Sequence, residues 1–270
     1  MKHVAARPHD MGAATDAIAK VPAVTLGFWL IKILATTLGE TGGDAVTMSW
    51  LGETTPDATG MGYLVGTAIF AVLFAAAVAV QIRAKAFHPF LYWVTIIAST
   101  TVGTTLADYA DRSLGIGYAG GSLLLLTLLL ASLFAWHRTL GSIAVETVGD
   151  PKTETFYWVT IMFSQTLGTA LGDWVADTGD LGYVGGIWIF GGALAVVALL
   201  YFRTRISHTL LFWAAFILTR PLGAVVGDFL DKPMAKGGLE LSRYSASLAL
   251  LVAIVVLVLV IPQRAARRAH

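Results

Sequence analysis

The sequence contains no cysteine and unusually little charge. The absence of cysteine excludes disulfides, thiolate catalysis and cysteine-ligated metal sites. Only 13% of the 270 residues are charged, which is about half the fraction found in soluble domains. The apolar residues, 56% of the chain, fall in long blocks, as membrane-spanning helices of about 20 residues require. These blocks take up most of the chain and leave no room for a separate soluble domain.

Four segments of the sequence repeat the same spacing of landmark residues. Each begins with an aromatic pair that ends in tryptophan, followed by a glycine ten residues later and an aspartate fifteen residues later. The tryptophans are Trp29, Trp93, Trp158 and Trp213, and the aspartates are Asp44, Asp108, Asp173 and Asp228. A turn-rich segment and a second apolar stretch follow each aspartate. The spacing therefore predicts four repeats of two helices each.

The predicted fold is an all-α integral membrane protein with eight transmembrane helices. The spans are expected at about 22–47, 62–82, 90–110, 116–136, 156–177, 182–202, 209–230 and 244–262. One transmembrane domain, 22–262, lies between an N-terminal tail, 1–21, and a C-terminal tail, 263–270. The repeats cover about 22–85, 86–150, 151–207 and 208–262. Because each repeat crosses the membrane out and back, the four would be parallel and pseudo-symmetric about the membrane normal.

Basic residues near the span ends predict the orientation of the chain. Arginines and lysines follow the second helix of every repeat, whereas the opposite loops hold acids mixed with a few bases. By the positive-inside rule, both tails are expected on the cytoplasmic side of a prokaryotic inner membrane. The four tryptophans would then form an aromatic belt at the inner membrane interface.

The first helix of each repeat carries a polar stripe on one face. At 1.5 Å per residue the four aspartates lie about 22 Å beyond their tryptophans, so they share one level in the outer part of the membrane. Offsets of three and four residues place other polar side chains on the same face. The acidic members are Glu40, Asp44, Asp108, Asp111, Asp173, Asp177, Asp228 and Asp231, which are candidate metal ligands. The threonines that would line a polar pathway are Thr37, Thr101, Thr104, Thr166 and Thr169.

Small residues occupy an adjacent face of the same helices. They form small-xxx-small pairs, which allow helices to approach closely, so we expect them to serve helix packing. The glycines among them are Gly39, Gly43, Gly103, Gly168, Gly172, Gly223 and Gly227.

Only two bases, Lys32 and Arg220, lie well inside the predicted helices. We expect both to take part in charge pairing, with Arg220 paired to Glu40 if the first and fourth repeats adjoin. Several carboxylates would still have no basic partner. Like charges held close together cannot all ionise unless protons or a bound cation balance them. The sequence therefore favours a membrane cation transporter, and proton coupling is compatible with shared carboxylates.

The available ligand types narrow the choice of ion. All six histidines lie in tails or inner loops, and only Met162 lies well inside a predicted span. Carboxylates, hydroxyls and backbone carbonyls suit Mg²⁺, Ca²⁺ and Mn²⁺. We therefore expect a hard divalent cation, with Mn²⁺ favoured, as substrate or bound ion. No organic cofactor and no nucleic-acid partner is expected, and the lipid bilayer is the expected surrounding.

Two alternatives stay open at this point. Clustered carboxylates can also carry protons or alkali cations, as in an exchanger or a channel. A non-transporting membrane enzyme or assembly protein is an alternative of another class. No HExxH, GxSxG or P-loop pattern occurs in the sequence, so we do not expect an enzyme.

The repeated G-x-x-x-[GA]-D pattern resembles a family of prokaryotic polytopic proteins described as uncharacterised membrane-anchored proteins. The resemblance covers essentially the whole chain and implies a polytopic membrane fold, without an activity. The stretch from Glu40 to Asp44 is also similar to the E-x-G-D signature of small manganese and calcium exporters. It has one extra residue and lacks the basic residue that follows, and the other repeats have Thr104, Thr169 and Ala224 in place of Glu40. That similarity implies only the substrate class.

Overall fold

The computed structural model describes residues 19–178 and 181–266. Within these ranges the chain forms eight long α-helices, one at each predicted span. They are α1 Leu26–Asp44, α2 Met61–Arg83, α3 Pro89–Asp108, α4 Tyr118–Leu140, α5 Pro151–Thr178, α6 Gly182–Arg203, α7 His208–Asp231 and α8 Arg243–Val260. The prediction of an all-α fold with eight helices is confirmed. Most of the predicted N-terminal tail, and the predicted C-terminal tail beyond residue 266, lie outside the described residues.

Local sequence features account for the ends of several helices. The Thr25 hydroxyl caps α1 by accepting a hydrogen bond from the Phe28 N–H at 3.3 Å. Proline occupies the first position of α3, where its missing N–H costs nothing. Beyond their aspartates, α1 and α3 continue as π-helical turns, Ala45–Trp50 and Tyr109–Ser113, whereas α5 and α7 remain α-helical. The repeats therefore differ in the segment just after the aspartate, where the repeated spacing ends.

The first helices of the four repeats form a closed inner ring. In this ring α1 packs on α3, α3 on α5, α5 on α7, and α7 on α1. The second helices lie outside it, and each packs on the inner helix of the following repeat: α2 on α3, α4 on α5, α6 on α7, and α8 on α1. The apolar stretches of α3 and α7 are 67% buried, against 11–22% for the four outer helices. The polar stripes are therefore enclosed, and the apolar outer helices form the surface.

Close contacts between inner helices occur at the repeated glycines. At the position ten residues after each tryptophan, side-chain or backbone atoms of the next inner helix lie directly against the glycine, where a Cβ atom would collide. These pairs are Gly39 with Thr100, Gly103 with Gln165, Gly168 with Arg220, and Gly223 with Thr36. Four residues further on, the contacts are Gly43 with Thr104, Gly172 with Ala224, and Gly227 with Glu40. The glycines thus allow neighbouring inner helices to approach each other closely.

An aromatic layer closes the ring at the tryptophan end of the bundle. The residue before each tryptophan packs on the tryptophan of the next repeat, with ring centroids 5.5–6.3 Å apart. The hydroxyls of Tyr92 and Tyr157 lie 2.6 Å apart inside this layer. Trp93, Trp158 and Trp213 are each only 2% exposed. The prediction of a surface belt is therefore wrong for these three, because neighbouring repeats cover their rings.

Segments from both ends of the described chain cover the aromatic layer. Pro22 and Ala265 form an antiparallel bridge, and the Lys20 N–H donates to the Val148 carbonyl at 2.7 Å. The Lys20 ammonium is buried and lies 2.5 Å from Glu154 at the start of α5. These contacts fasten the first segment to the segment before α5, to the start of α5 and to the segment after α8, so the tryptophan end is sealed by backbone as well as by aromatic rings.

Candidate functional site

A charged network crosses the centre of the inner ring. Arg220, from α7, is fully buried and its Nη2 donates to Glu40 Oε2 at 3.0 Å. The same nitrogen lies 2.6 Å from the Thr104 hydroxyl and also contacts the Thr169 hydroxyl. Glu40, Thr104 and Thr169 occupy the same position in repeats one to three, and the fourth repeat has the small residue Ala224 there. One arginine therefore bridges all four repeats, and the structure brings Arg220 and Glu40 together.

Lys32 has no charged partner among the described residues. Its side chain is fully buried, its Nζ makes no hydrogen bond, and it lies 4.1 Å from the centre of the Phe216 ring. The expectation that Lys32 takes part in charge pairing is therefore wrong. Isoleucines occupy the equivalent position in the second and third repeats, and Phe216 occupies it in the fourth. Lys32 therefore lies in an apolar layer of the ring, between the tryptophans and the acids of the site.

The four repeated aspartates are buried at the aspartate end of the ring. Lys232, the residue after α7, contacts Asp44 and lies 2.9 Å from Asp228. Arg112, in the π-helical turn after α3, lies 2.7 Å from Asp108 and 3.9 Å from Asp173. Each base therefore joins the aspartate of its own inner helix to the aspartate of the next.

The prediction that several carboxylates lack basic partners is wrong for Asp44, Asp108 and Asp228, which contact Lys232 or Arg112. Arg112 and Lys232 fall in predicted loops, beyond the expected spans 90–110 and 209–230. The available signal was spacing: Arg112 and Lys232 follow Asp108 and Asp228 by four residues, which puts them on one helix face. A third base, Arg243 at the start of α8, reaches Asp231 at 3.2 Å.

The bases next to the site remain charged. Burial lowers the pKa of the Lys232 ammonium, but the carboxylates of Asp228, Asp44 and Asp231 outweigh this effect and hold that pKa well above the usual value of lysine. Arginine does not lose its proton in proteins.

Two groups of three carboxylates converge among the described residues. In each group, one oxygen from every residue lies within 4.8 Å of the others. The groups are Glu40, Asp173 and Asp228, and Asp44, Asp228 and Asp231. All five residues are buried, and the Asp44 Oδ1 and Asp231 Oδ1 atoms have no hydrogen-bond partner. Such oxygens are costly to leave unpaired, and they are the ligands that hard cations prefer.

Other predicted site residues lie apart from these groups. Asp108 is held by Arg112, and Asp177 is exposed and accepts a hydrogen bond from Tyr118 at 2.9 Å. Asp111 has a buried Oδ1 that lies against Gly121 of α4, without a hydrogen-bond partner. Neither Asp111 nor Asp177 belongs to a converging group in the described part of the chain.

Only two of the five predicted pathway threonines join the central network. Thr104 and Thr169 contact Arg220. The other three donate to the carbonyl four residues earlier in their own helix, at distances of 2.8–3.0 Å; they are Thr37, Thr101 and Thr166. Their hydroxyls therefore satisfy the helix backbone.

The charges of the site leave an excess of carboxylates. Six buried acids lie in or beside the two groups, and four bases contact them. The acids are Glu40, Asp44, Asp108, Asp173, Asp228 and Asp231, and the bases are Arg112, Arg220, Lys232 and Arg243. If all were ionised, the site would carry two uncompensated negative charges, which is the charge that one divalent cation neutralises.

The repeats seen in the sequence and in the fold coincide with matches to a known family. The family described as Repeat of Unknown Function (DUF347) matches residues 27–87, 91–142, 156–207 and 211–264. No curated protein and no solved structure matches the chain, so the similarity to manganese and calcium exporters gains no support from these comparisons. The four matched segments cover most of the sequence and each contains one inner and one outer helix. The chain therefore belongs to the DUF347 repeat family and carries four copies of the repeat.

Proposed function

We propose that this chain is an integral membrane protein that transports a hard divalent cation, with Mn²⁺ as the favoured substrate. The membrane assignment is supported by six helices that are long and apolar enough to cross a bilayer. The other two, α1 and α5, belong to the inner ring and carry acids of the site, so outer helices would shield them from lipid. The cyclic packing order supports parallel repeats around an axis along the membrane normal.

The observation that carries the cation proposal is the convergence of Glu40, Asp173 and Asp228. One buried carboxylate comes from each of three inner helices, and their oxygens lie within 4.8 Å of one another. Asp173 has its nearest base 3.9 Å away. A divalent ion bound here would remove the repulsion between these groups and balance the two excess negative charges. Hard cations of this kind bind carboxylate oxygens.

In the proposed orientation, the aspartates face the outside of a prokaryotic inner membrane and both tails lie in the cytoplasm. The Arg112 side chain, 36% exposed, would lie on that outer side. The aromatic layer closes the cytoplasmic end, so transport requires that layer to separate in a second conformation. Shared carboxylates would also release protons when the cation binds, which suits proton coupling.

A metal survey tests binding. Purified protein would be melted with Mn²⁺, Mg²⁺, Ca²⁺, Zn²⁺ and Na⁺, as wild type, as Asp173→Asn and as Asp177→Asn. We expect selective stabilisation by a hard divalent ion in the wild type and in Asp177→Asn, and its loss in Asp173→Asn. Asp177 is the matched control because it lies one turn further on the same helix and outside both carboxylate groups. If none of the ions stabilised the wild type, the metal site would be refuted.

Flux in reconstituted vesicles tests transport. Saturable Mn²⁺ uptake that requires Asp173 but not Asp177 supports a transporter. Flux without saturation would indicate a channel, and proton or alkali-cation exchange without Mn²⁺ uptake would favour the exchanger. Metal binding without any flux would favour the non-transporting alternative.

A further inference from the structure

We propose that the Asp44, Asp228 and Asp231 group is a second cation site, which the ammonium group of Lys232 occupies until a free cation displaces it. This inference rests on the proposed function, because Asp228 belongs to both carboxylate groups. The Lys232 side chain would then act as an internal competitor that sets how tightly external cations bind.

The first argument is that a cation already lies in the group. The Lys232 Nζ contacts Asp44, lies 2.9 Å from Asp228 and 3.9 Å from Asp231. The Met48 sulfur is 3.6 Å away. A lysine ammonium is a compact point charge on a flexible chain, so it resembles a metal ion more closely than a guanidinium does.

The second argument is that Lys232 leaves part of the group unused. An ammonium group has three N–H donors, whereas a divalent ion such as Ca²⁺ takes six to eight oxygen ligands. The Asp44 Oδ1 and Asp231 Oδ1 atoms are buried and have no hydrogen-bond partner. Asp44 is fully buried and Asp231 is 5% exposed. A metal ion in place of the ammonium would give these oxygens a partner.

The third argument comes from the repeats. Nineteen residues after the tryptophan, the four repeats have Met48, Arg112, Asp177 and Lys232. The two bases therefore alternate around the ring with two residues that are not basic. Each base joins two neighbouring aspartates, but no base at this position joins Asp173 to Asp228. Asp173 and Asp228 both belong to the first carboxylate group. That group therefore has no base at this position between its aspartates, whereas Lys232 occupies the second group.

The backbone around Lys232 is fixed, so only its side chain needs to move. Its N–H donates to the Asp228 carbonyl at 2.9 Å, and its own carbonyl accepts from the Glu240 N–H at 2.9 Å. Two further backbone bonds, from Leu239 to Phe229 and from Leu241 to Leu230, hold the returning chain against the end of α7. Rotation of the lysine side chain away from the three carboxylates would vacate the site without unfolding this turn.

Mn²⁺ titrations of the purified full-length chain test this inference. The variants are Lys232→Gln and the matched control Lys236→Gln, which removes an exposed base four residues further along. We expect Lys232→Gln to bind Mn²⁺ at least tenfold more tightly than wild type, and Lys236→Gln to bind like wild type. Adding Asp44→Asn to Lys232→Gln should abolish the gain, since Asp44 belongs only to the second group.

The outcomes separate this inference from the proposed function. Wild-type binding that depends on Asp173 but is unchanged by Lys232→Gln would overturn the second site and leave the proposed function intact. If no variant bound any metal, both would be refuted. If Lys232→Gln folds only when Mn²⁺ is present during purification, the result supports the inference. If Mn²⁺ does not restore its folding, the inference is overturned.

Discussion

Replacing Asp173 with asparagine should stabilise the metal-free protein, although most substitutions of buried residues destabilise. The reason is that Asp173 lies among like charges: its carboxylate is within 4.8 Å of oxygens from Glu40 and Asp228. Its nearest base, Arg112, is 3.9 Å away and partly exposed. Asparagine has nearly the same shape and removes the charge.

The size of the effect follows from these distances. With an effective dielectric constant of about 20, like charges 4.8 Å apart repel by about 3.5 kcal/mol. An opposite charge at 3.9 Å attracts by about 4 kcal/mol before its exposure to water is counted. The repulsion of Asp173 by Glu40 and Asp228 together therefore exceeds its attraction to Arg112 by roughly 3 kcal/mol. The bases that pair with Glu40 and Asp228 reduce this difference. When all three carboxylates are ionised, we expect a gain of about 1–3 kcal/mol, or about 2–10 °C in melting temperature. A proton shared among them removes part of the repulsion, so the gain should be largest in alkaline buffer.

Thermal melting in EDTA measures this gain, with Asp177→Asn as control. The control carboxylate is exposed, so its loss should change the free energy of unfolding by less than about 0.5 kcal/mol. Saturating Mn²⁺, at about 100 times its dissociation constant, should add about 2.7 kcal/mol to the wild type and little to Asp173→Asn. If Asp173→Asn instead melted well below wild type in EDTA, mutual repulsion would be the wrong description of the site.

Three other substitutions test the ring itself, each by thermal or denaturant unfolding. Glu40→Gln should cost about 3–5 kcal/mol because it leaves Arg220 unpaired, and adding Arg220→Gln should restore part of the loss; strictly additive losses would contradict the pairing. Gly168→Ala should cost at least about 1–3 kcal/mol, since the new methyl group meets Arg220, whereas Gly191→Ala faces open space and should gain about 0.5–1 kcal/mol. Lys32→Met should stabilise by about 1–3 kcal/mol, because the buried amine has no hydrogen-bond partner; a lower melting temperature would show that its contact with the Phe216 ring outweighs this cost.

The sequence was sufficient to predict the helices and the common level of the aspartates. Both follow from spacing along one helix, which is a local property with a fixed rise per residue. The pairing of Arg220 with Glu40 required one further assumption, that the first and fourth repeats adjoin. The ring meets this condition because α7 packs on α1.

The order of helix packing was beyond the reach of the sequence. The outer helices are apolar on nearly every side, so their composition does not indicate which face meets a neighbour. The tryptophans were assigned to the surface because their position near a span end is typical of an aromatic belt. Their burial depends on aromatic partners that come from the preceding repeat, and no single repeat contains that information.

The ion pairs between the aspartates and their bases did not follow from the sequence for a different reason. Arg112 and Lys232 were assigned to loops, and loop charges were used only to infer orientation. In the structure each base lies one helical turn after an aspartate, and its side chain contacts that aspartate. A base just beyond the end of a helix can therefore pair with an acid inside that helix.

The packing of each outer helix on the following repeat has a consequence for how the chain is made. The inner helix α1 is synthesised first, but its outer neighbour, α8, is synthesised last. The fourth repeat also supplies the partners of the Lys32, Glu40 and Asp44 side chains, so these contacts form only after it is made. Ring closure is therefore a late event in synthesis, and a nascent chain with three repeats would leave one seam of the ring open.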